Sequence, residues 1–198
     1  MDNVIRSVYV NDLSGNDVQY ITRGKAKIVI YKDLLNASSI LDVIGNTNQC
    51  ILLFPTEFDN NNGHWVAILF HPKTNTIEHS DSYGLDAEQE IGYSTNPYVK
   101  EKLLNKLYIQ AQNNGYNVVY NTYRFQKLKT GYNQCGRFAS LRCRFHYLDV
   151  HEYAKLLLGQ NESPDWLVTA LTFISLKEDE KEESDIIKQF SNDKSRIR

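Results

Sequence analysis

An α+β fold, with a central β-sheet flanked by helices, is predicted for this chain of 198 residues by three observations. Short apolar runs rich in β-branched residues are scattered between positions 27 and 121, and longer stretches with helical spacing stand between and after them. The two kinds of segment do not alternate in the regular βαβαβ rhythm of a doubly wound sheet. The length supports one substantial hydrophobic core, so a single domain is expected over residues 1–176, followed by a charged C-terminal extension over 177–198.

Residues 1–26 mix short apolar runs with "NDLSGND" and "TRGK" and read as loops or edge elements. "KIVIY" at 27–31 is a strand candidate. A helix over about 33–44 follows from the placement of Leu34, Leu35, Ser38 and Leu41 near one face, with Gly45 as its cap. "QCILLF" at 49–54 is too short for a typical helix and reads as a buried strand. "WVAILF" at 65–70 and "TIEHSD" at 76–81, joined by turn-forming residues, predict a β-hairpin in which residue 65 faces roughly residue 81.

The clearest helix begins with Asn96 as N-cap and Pro97 at the first helical position, carries Leu103, Leu104, Leu107, Tyr108 and Ala111 on one stripe, and stops at Gly115. "NVVYN" at 117–121 is a further strand, and "QKLKTGYNQ" a loop. Helical spacing resumes at Cys135 with Phe138, Leu141, Arg142 and Phe145. Asp149 and Glu152 form a capping-box pattern for a helix ended by Gly159, and Ser163-Pro164 opens another that carries Leu167, Ala170, Leu171 and Ile174.

Twenty-two Lys and Arg against 24 Asp and Glu leave a net charge of −2, which gives no general electrostatic argument for binding DNA, RNA or an anionic membrane. No run of 18 apolar residues and no secretory signal pattern is present, so a soluble intracellular protein without a membrane partner is expected. Three cysteines, Cys50, Cys135 and Cys143, form neither pairs nor a CxxC, which favours reduced thiols. Arg137, Arg142 and Arg144 read as solvated or paired, with a docking patch as the alternative.

Cys135 stands where turn composition gives way to a helix. Unpaired N–H groups at a helix start favour a thiolate and can also bind negative charge on a substrate. Such a nucleophile needs a base. His64, preceded by a glycine and anchored by the strand after it, is the best placed; His71 falls in the turn, His79 inside a strand, and His146 and His151 beyond the start of the cysteine helix. Asp81, across the open end of the hairpin, is the candidate to orient the imidazole, with Glu78 and Asp86 as rivals. Gln126 and Gln134 are the candidate side-chain donors to an oxyanion, beside the Cys135 N–H. Gln126 is preferred, because the side chain adjoining the nucleophile is expected to point away from the reaction. A zinc site on His64, Asp81 and Cys135 is disfavoured for want of a fourth convergent ligand, so neither metal nor cofactor is expected.

"GHWVAILF" around His64, "DSYG" containing Asp81 and "QKLKTGYNQCGRF" containing Gln126 and Cys135 together resemble the clan of the adenovirus maturation protease (adenain) and the SUMO proteases. The order His, acid, Gln, Cys and the gap of 17 residues from His64 to Asp81 match it, and "CGRF" is most similar to proteases of virophages and Maverick/Polinton elements. The resemblance covers roughly residues 48–145. It implies a papain-like cysteine protease core in circularly rearranged order, with His64 as general base, Asp81 as imidazole orienter, Gln126 as oxyanion donor, Cys135 as nucleophile and Trp65 as a packing aromatic. It further implies a monomeric cysteine endopeptidase that cleaves capsid or scaffold precursors near glycine or small residues, in the host cytoplasm or viral factory and in the virion.

One departure is that Gln126 lies nine residues before Cys135, where family members often have six or seven. The adenovirus enzyme uses a basic viral peptide and DNA as activators, and the charge of this chain does not establish either. An isopeptidase acting on ubiquitin-like conjugates, a Cys/His/acid acetyltransferase and an inactive scaffold-binding protein are the alternative readings.

Overall fold

The computed structural model describes residues 13–57, 63–127 and 133–176. Five strands form one open sheet in sequence order: β1 (Lys27–Ile30), β2 (Gln49–Pro55), β3 (Gly63–His71), β4 (Thr76–Ser80) and β5 (Asn117–Tyr120). The three central strands are antiparallel neighbours, and the two edge strands pair parallel to β2 and β4. The fold is thus α+β with an open central sheet, and all five strands fall on the runs expected of them.

Three departures of the helices from expectation have a local reason. A first helix, α1 (Gly15–Ile21), occupies part of the stretch expected as loops or edge elements. Ser14 and Asp17 form a capping box, the Asp17 N–H donating to Ser14 Oγ at 3.2 Å and the Ser14 N–H to Asp17 Oδ2 at 2.9 Å. Seven residues give only Val18 and Ile21 to the core, too few for a legible stripe.

The helix expected over 33–44 is two pieces, a 3₁₀ segment (Tyr31–Asn36) and α2 (Ile40–Ile44). Ala37 is extended, and Ser39 caps anew by accepting the Asp42 N–H at 3.2 Å. Serine beside serine offers the backbone this alternative to a continuous helix.

The helix expected from Pro97 to Gly115 likewise divides. After α3 (Ala87–Ile91), Asn96 and Pro97 open α4 (Pro97–Lys100), and Lys102 then turns into the left-handed region at φ 57° before α5 (Leu103–Asn113) begins. The break lets the Leu104 N–H donate to the buried Tyr31 hydroxyl at 3.2 Å.

α6 (Cys135–Arg144), α7 (Val150–Leu158) and α8 (Pro164–Leu176) follow the predicted boundaries closely. The expected extension at 177–198 lies outside the described residues. Among those described, no helix is long and apolar enough to cross a membrane.

Strand alternation divides the core. Cys50, Leu52 and Phe54 with Val66, Ile68 and Ile77 pack against α2 and α5 on one face. Ile51, Ala67 and Leu69 meet Ala139 and Cys143 of α6 on the other. The far side of α6 presents Phe138 and Leu141 to α7 and α8. Every residue of α6 from Cys135 to Cys143 is therefore buried.

Arg142 and Glu78 fasten this helix to the sheet. Arg142 Nε and Nη2 donate to the two Glu78 oxygens at 2.7 and 2.8 Å. The guanidinium also donates to the carbonyls of Phe145 and Leu148 and lies 4.9 Å from the centre of the Tyr153 ring. Arg142 and Arg137 are each 1% exposed, so a solvated reading of either is corrected. The same pairing removes Glu78 as a rival orienting acid.

Burial would raise the Glu78 carboxyl, but Arg142 and His71 outweigh it and hold its pKa at about 2. Glu78→Gln is expected to destabilise the protein by about 3–5 kcal/mol, because it leaves a buried guanidinium without its counter-charge. Denaturant unfolding checks this. The Glu78 contribution is complete above its ordinary value of 4.5 and is lost as pH falls through about 2, so the variant also flattens the acid limb of the stability profile.

Candidate functional site

His64 enters the site from the first residues of β3, which the preceding glycine allows to approach β2. A Cβ on Gly63 would stand 2.1 Å from the Phe54 carbonyl oxygen, so only glycine fits that pairing. Asp81 follows the last residue of β4. The hairpin register is one residue away from the one expected: His71 pairs with Thr76 and Ala67 with Ser80, so Asp81 continues opposite Val66 instead of residue 65. The shift decides the geometry. Side chains alternate across a strand, and the expected register would have put residues 64 and 81 on opposite faces. In the observed one they are diagonal neighbours on the same face, and His64 Nε2 hydrogen-bonds Asp81 Oδ1.

Asp81 is itself fixed. Its Oδ2 accepts the N–H groups of Tyr83 at 3.0 Å and Leu85 at 2.8 Å, and its carbonyl accepts Asn121 Nδ2 at 2.6 Å. Gly84, at φ +74°, makes the turn of "DSYG" possible while passing close to the backbone of Thr122. Asp86, the other rival acid, is committed elsewhere as the N-cap of α3.

Cys135 opens α6 and lines the same cleft as His64, near enough to act on the charge of its imidazole. With Nε2 held by Asp81, Nδ1 is the ring nitrogen left for the sulfur. Gly136 lets the helix start sit close to its neighbours, since a Cβ there would stand 3.3 Å from both Trp65 Cδ1 and Leu13 Cβ. Burial works against an imidazolium at His64, yet Asp81 and Cys135 outweigh it and hold the imidazole pKa well above its usual range. At Asp81 burial opposes the charged form, but His64 outweighs it and keeps the carboxyl below its usual value.

The two shifts define a window. The pairing contributes its full stability between the ordinary carboxylate value of 3.8 and the ordinary imidazole value of 6.5. It fades as pH falls through the depressed Asp81 value or rises through the elevated His64 value.

Gln126 is 1% exposed, and Ser82, the residue after Asp81, positions it twice over. The Ser82 carbonyl accepts the Gln126 N–H at 2.9 Å, and Ser82 Oγ donates to Gln126 Oε1 at 2.8 Å. With the oxygen engaged in this way, Nε2 is the donor end of the carboxamide. Gln134 is turned away as expected: its Oε1 accepts Thr169 Oγ1 of α8 at 3.0 Å.

Cys50 and Cys143 are inert core thiols by comparison. Both are fully buried, and burial pushes the Cys50 thiol to about 12 and the Cys143 thiol well above its usual value.

His64 and Cys135 line a cleft of about 580 Å³ together with Tyr83, Leu85, Glu90 and Arg124. None of these four was singled out by the sequence reading. Tyr83 stacks on the His64 ring at 5.1 Å between centroids and an interplanar angle of 27°; its place just after the acid was the only signal. Glu90 comes from α3, nine residues beyond Asp81, and nothing in its local pattern marks it. His64, Asp81 and Glu90 are the group, among the described residues, whose ligand atoms lie close enough to hold a metal, all within 4.8 Å of one another. Within that group, His64 Nε2 and Asp81 Oδ1 are bonded to each other.

No protein-family model matches the chain. Protein V9 of Sputnik virophage, an uncharacterized protein, is 32% identical over 168 residues, which cover 81% of this chain and 93% of V9. The matched length takes in most of the described fold, and the chain belongs to the virophage protein family that includes Sputnik V9.

Proposed function

We propose that this protein is a cysteine endopeptidase with a papain-like core in rearranged order, and that it cleaves virophage capsid or scaffold precursors near glycine or small residues. The observation that carries the reading is the bonded pair of His64 and Asp81 in a cleft that Cys135 also lines, with the sulfur on the first turn of a buried helix. A raised imidazole pKa next to a thiol favours a thiolate–imidazolium pair, the reactive form of a cysteine nucleophile.

Attack of the thiolate on a peptide carbonyl forms a tetrahedral oxyanion, for which the Cys135 N–H and Gln126 Nε2 are the donors. His64 then protonates the leaving amine as the acyl-enzyme forms, and water releases the second product. Asp81 keeps the ring turned toward the sulfur throughout and stabilises its charged state.

The pH dependence of Cys135 alkylation, followed by peptide mass analysis, tests the nucleophile and base together. Rapid reaction below pH 7 is expected in the wild type and a sharp slowing in His64→Ala. Slow reaction in both would sink the proposal. Incubation with a capsid precursor, a ubiquitin-like conjugate and acetyl coenzyme A distinguishes internal cleavage from conjugate release and acetyl transfer.

A further inference from the structure

Glu90 is 4% exposed, and its two oxygens have different surroundings. Oε1 meets His79 Nε2 at 3.1 Å, and His79 Nδ1 is in turn 3.0 Å from the Tyr108 hydroxyl, so the carboxyl is held at the end of a buried chain. Oε2 has no hydrogen-bond partner among the described residues. The carboxyl nevertheless stands within 4.8 Å of the ligand atoms of both His64 and Asp81, and Glu90 borders the cleft beside Cys135. Two carboxyl groups thus flank one imidazole, only one of them bonded to it.

We propose that Glu90 is a positioning residue of this site, a reserve acid that supplies the imidazole with a counter-charge when Asp81 does not. The inference rests on His64 being the working base. Carboxyl groups this close together do not both ionise readily in a dry site. Asp81, bonded to the imidazole and to two backbone N–H groups, takes the charge. Burial raises the Glu90 pKa against the opposing pull of His79, and the Asp81 charge raises it further. The groups facing it are His79 and Asp81 from β4 and its end, His64 from β3, Tyr108 from α5 and Tyr31 from the 3₁₀ segment. Removing the Asp81 charge removes one of the causes that raise the Glu90 pKa, and a carboxylate at Glu90 stands close enough to His64 to stabilise the imidazolium.

The test is a nuclear magnetic resonance titration of the His64 ring in four proteins, all bearing Cys135→Ala: the otherwise unchanged chain, Asp81→Asn, Glu90→Gln, and both together. Glu90→Gln is expected to lower imidazole proton affinity by about twofold alone and by about tenfold in the Asp81→Asn background, where a tenfold change is one pH unit. Equal factors in the two backgrounds would overturn the proposal, since a residue that merely supports the fold acts alike in both. Should the double variant fail to fold, Asp81→Asn with Glu90→Asp replaces it. The withdrawn carboxyl is then expected to give an intermediate affinity, and an unchanged one overturns the proposal. No substrate enters this measurement, so absence of turnover in the wild type would defeat the protease reading while leaving the titration result to stand or fall separately.

Discussion

Cys135→Ala is expected to reduce precursor cleavage by roughly 10⁵–10⁶-fold while leaving the protein folded. The magnitude follows from the mechanism: no other described cysteine can substitute, because Cys50 and Cys143 are enclosed in the core and their thiols resist ionisation. The substitution removes one sulfur from the end of a helix whose packing lies mostly beyond it, at Phe138, Ala139, Leu141 and Cys143. Thermal unfolding should therefore move little. Progress curves with a capsid precursor, paired with a melting curve, check both halves, and wild-type turnover in the variant would remove Cys135 from the mechanism.

Asp81→Asn is expected to lower kcat/KM by about 10³-fold, with a smaller effect on substrate affinity. Asparagine has the size of aspartate but only one acceptor oxygen. If that oxygen faces the Tyr83 and Leu85 N–H groups, the amide nitrogen faces the imidazole and presents a donor to a donor. His64 then loses its orientation and the charge that raises its pKa. The signature is a shift of the alkylation profile of Cys135 toward higher pH, measured alongside kcat. A variant with both kcat and profile unchanged would show that Asp81 serves the turn alone.

Strands and caps were legible in the sequence because their causes are local. The run at 49–54 and the alternation of 65–70 and 76–81 reappear in β2, β3 and β4, and Asn96, Pro97, Asp149 and Glu152 cap the helices they announced. Breaks inside helices were less visible. Lys102 is a good helix former, and only the demand of the buried Tyr31 hydroxyl for the Leu104 N–H gives a reason to interrupt the stripe there.

The pairing of His64 with Asp81 was foreseen through a register one residue out. Hydrophobic alternation fixes which side chains share a face, but it does not count the residues in a turn, and His71 remains in the ladder where a longer turn was expected. Glu90, Tyr83 and the partnership of Glu78 with Arg142, 64 residues apart, arise from tertiary convergence and leave no mark on local sequence.

The burial of α6 on both sides has a consequence for motion. A helix shared by two apolar layers cannot open by fraying from one of them, so its hydrogen-bonded amide protons, from Phe138 onward, should exchange with solvent only through the largest opening of the molecule. The element that aims the sulfur is then as long-lived as the native state itself, and a protease that nicks the surface elsewhere would leave the aim of Cys135 intact.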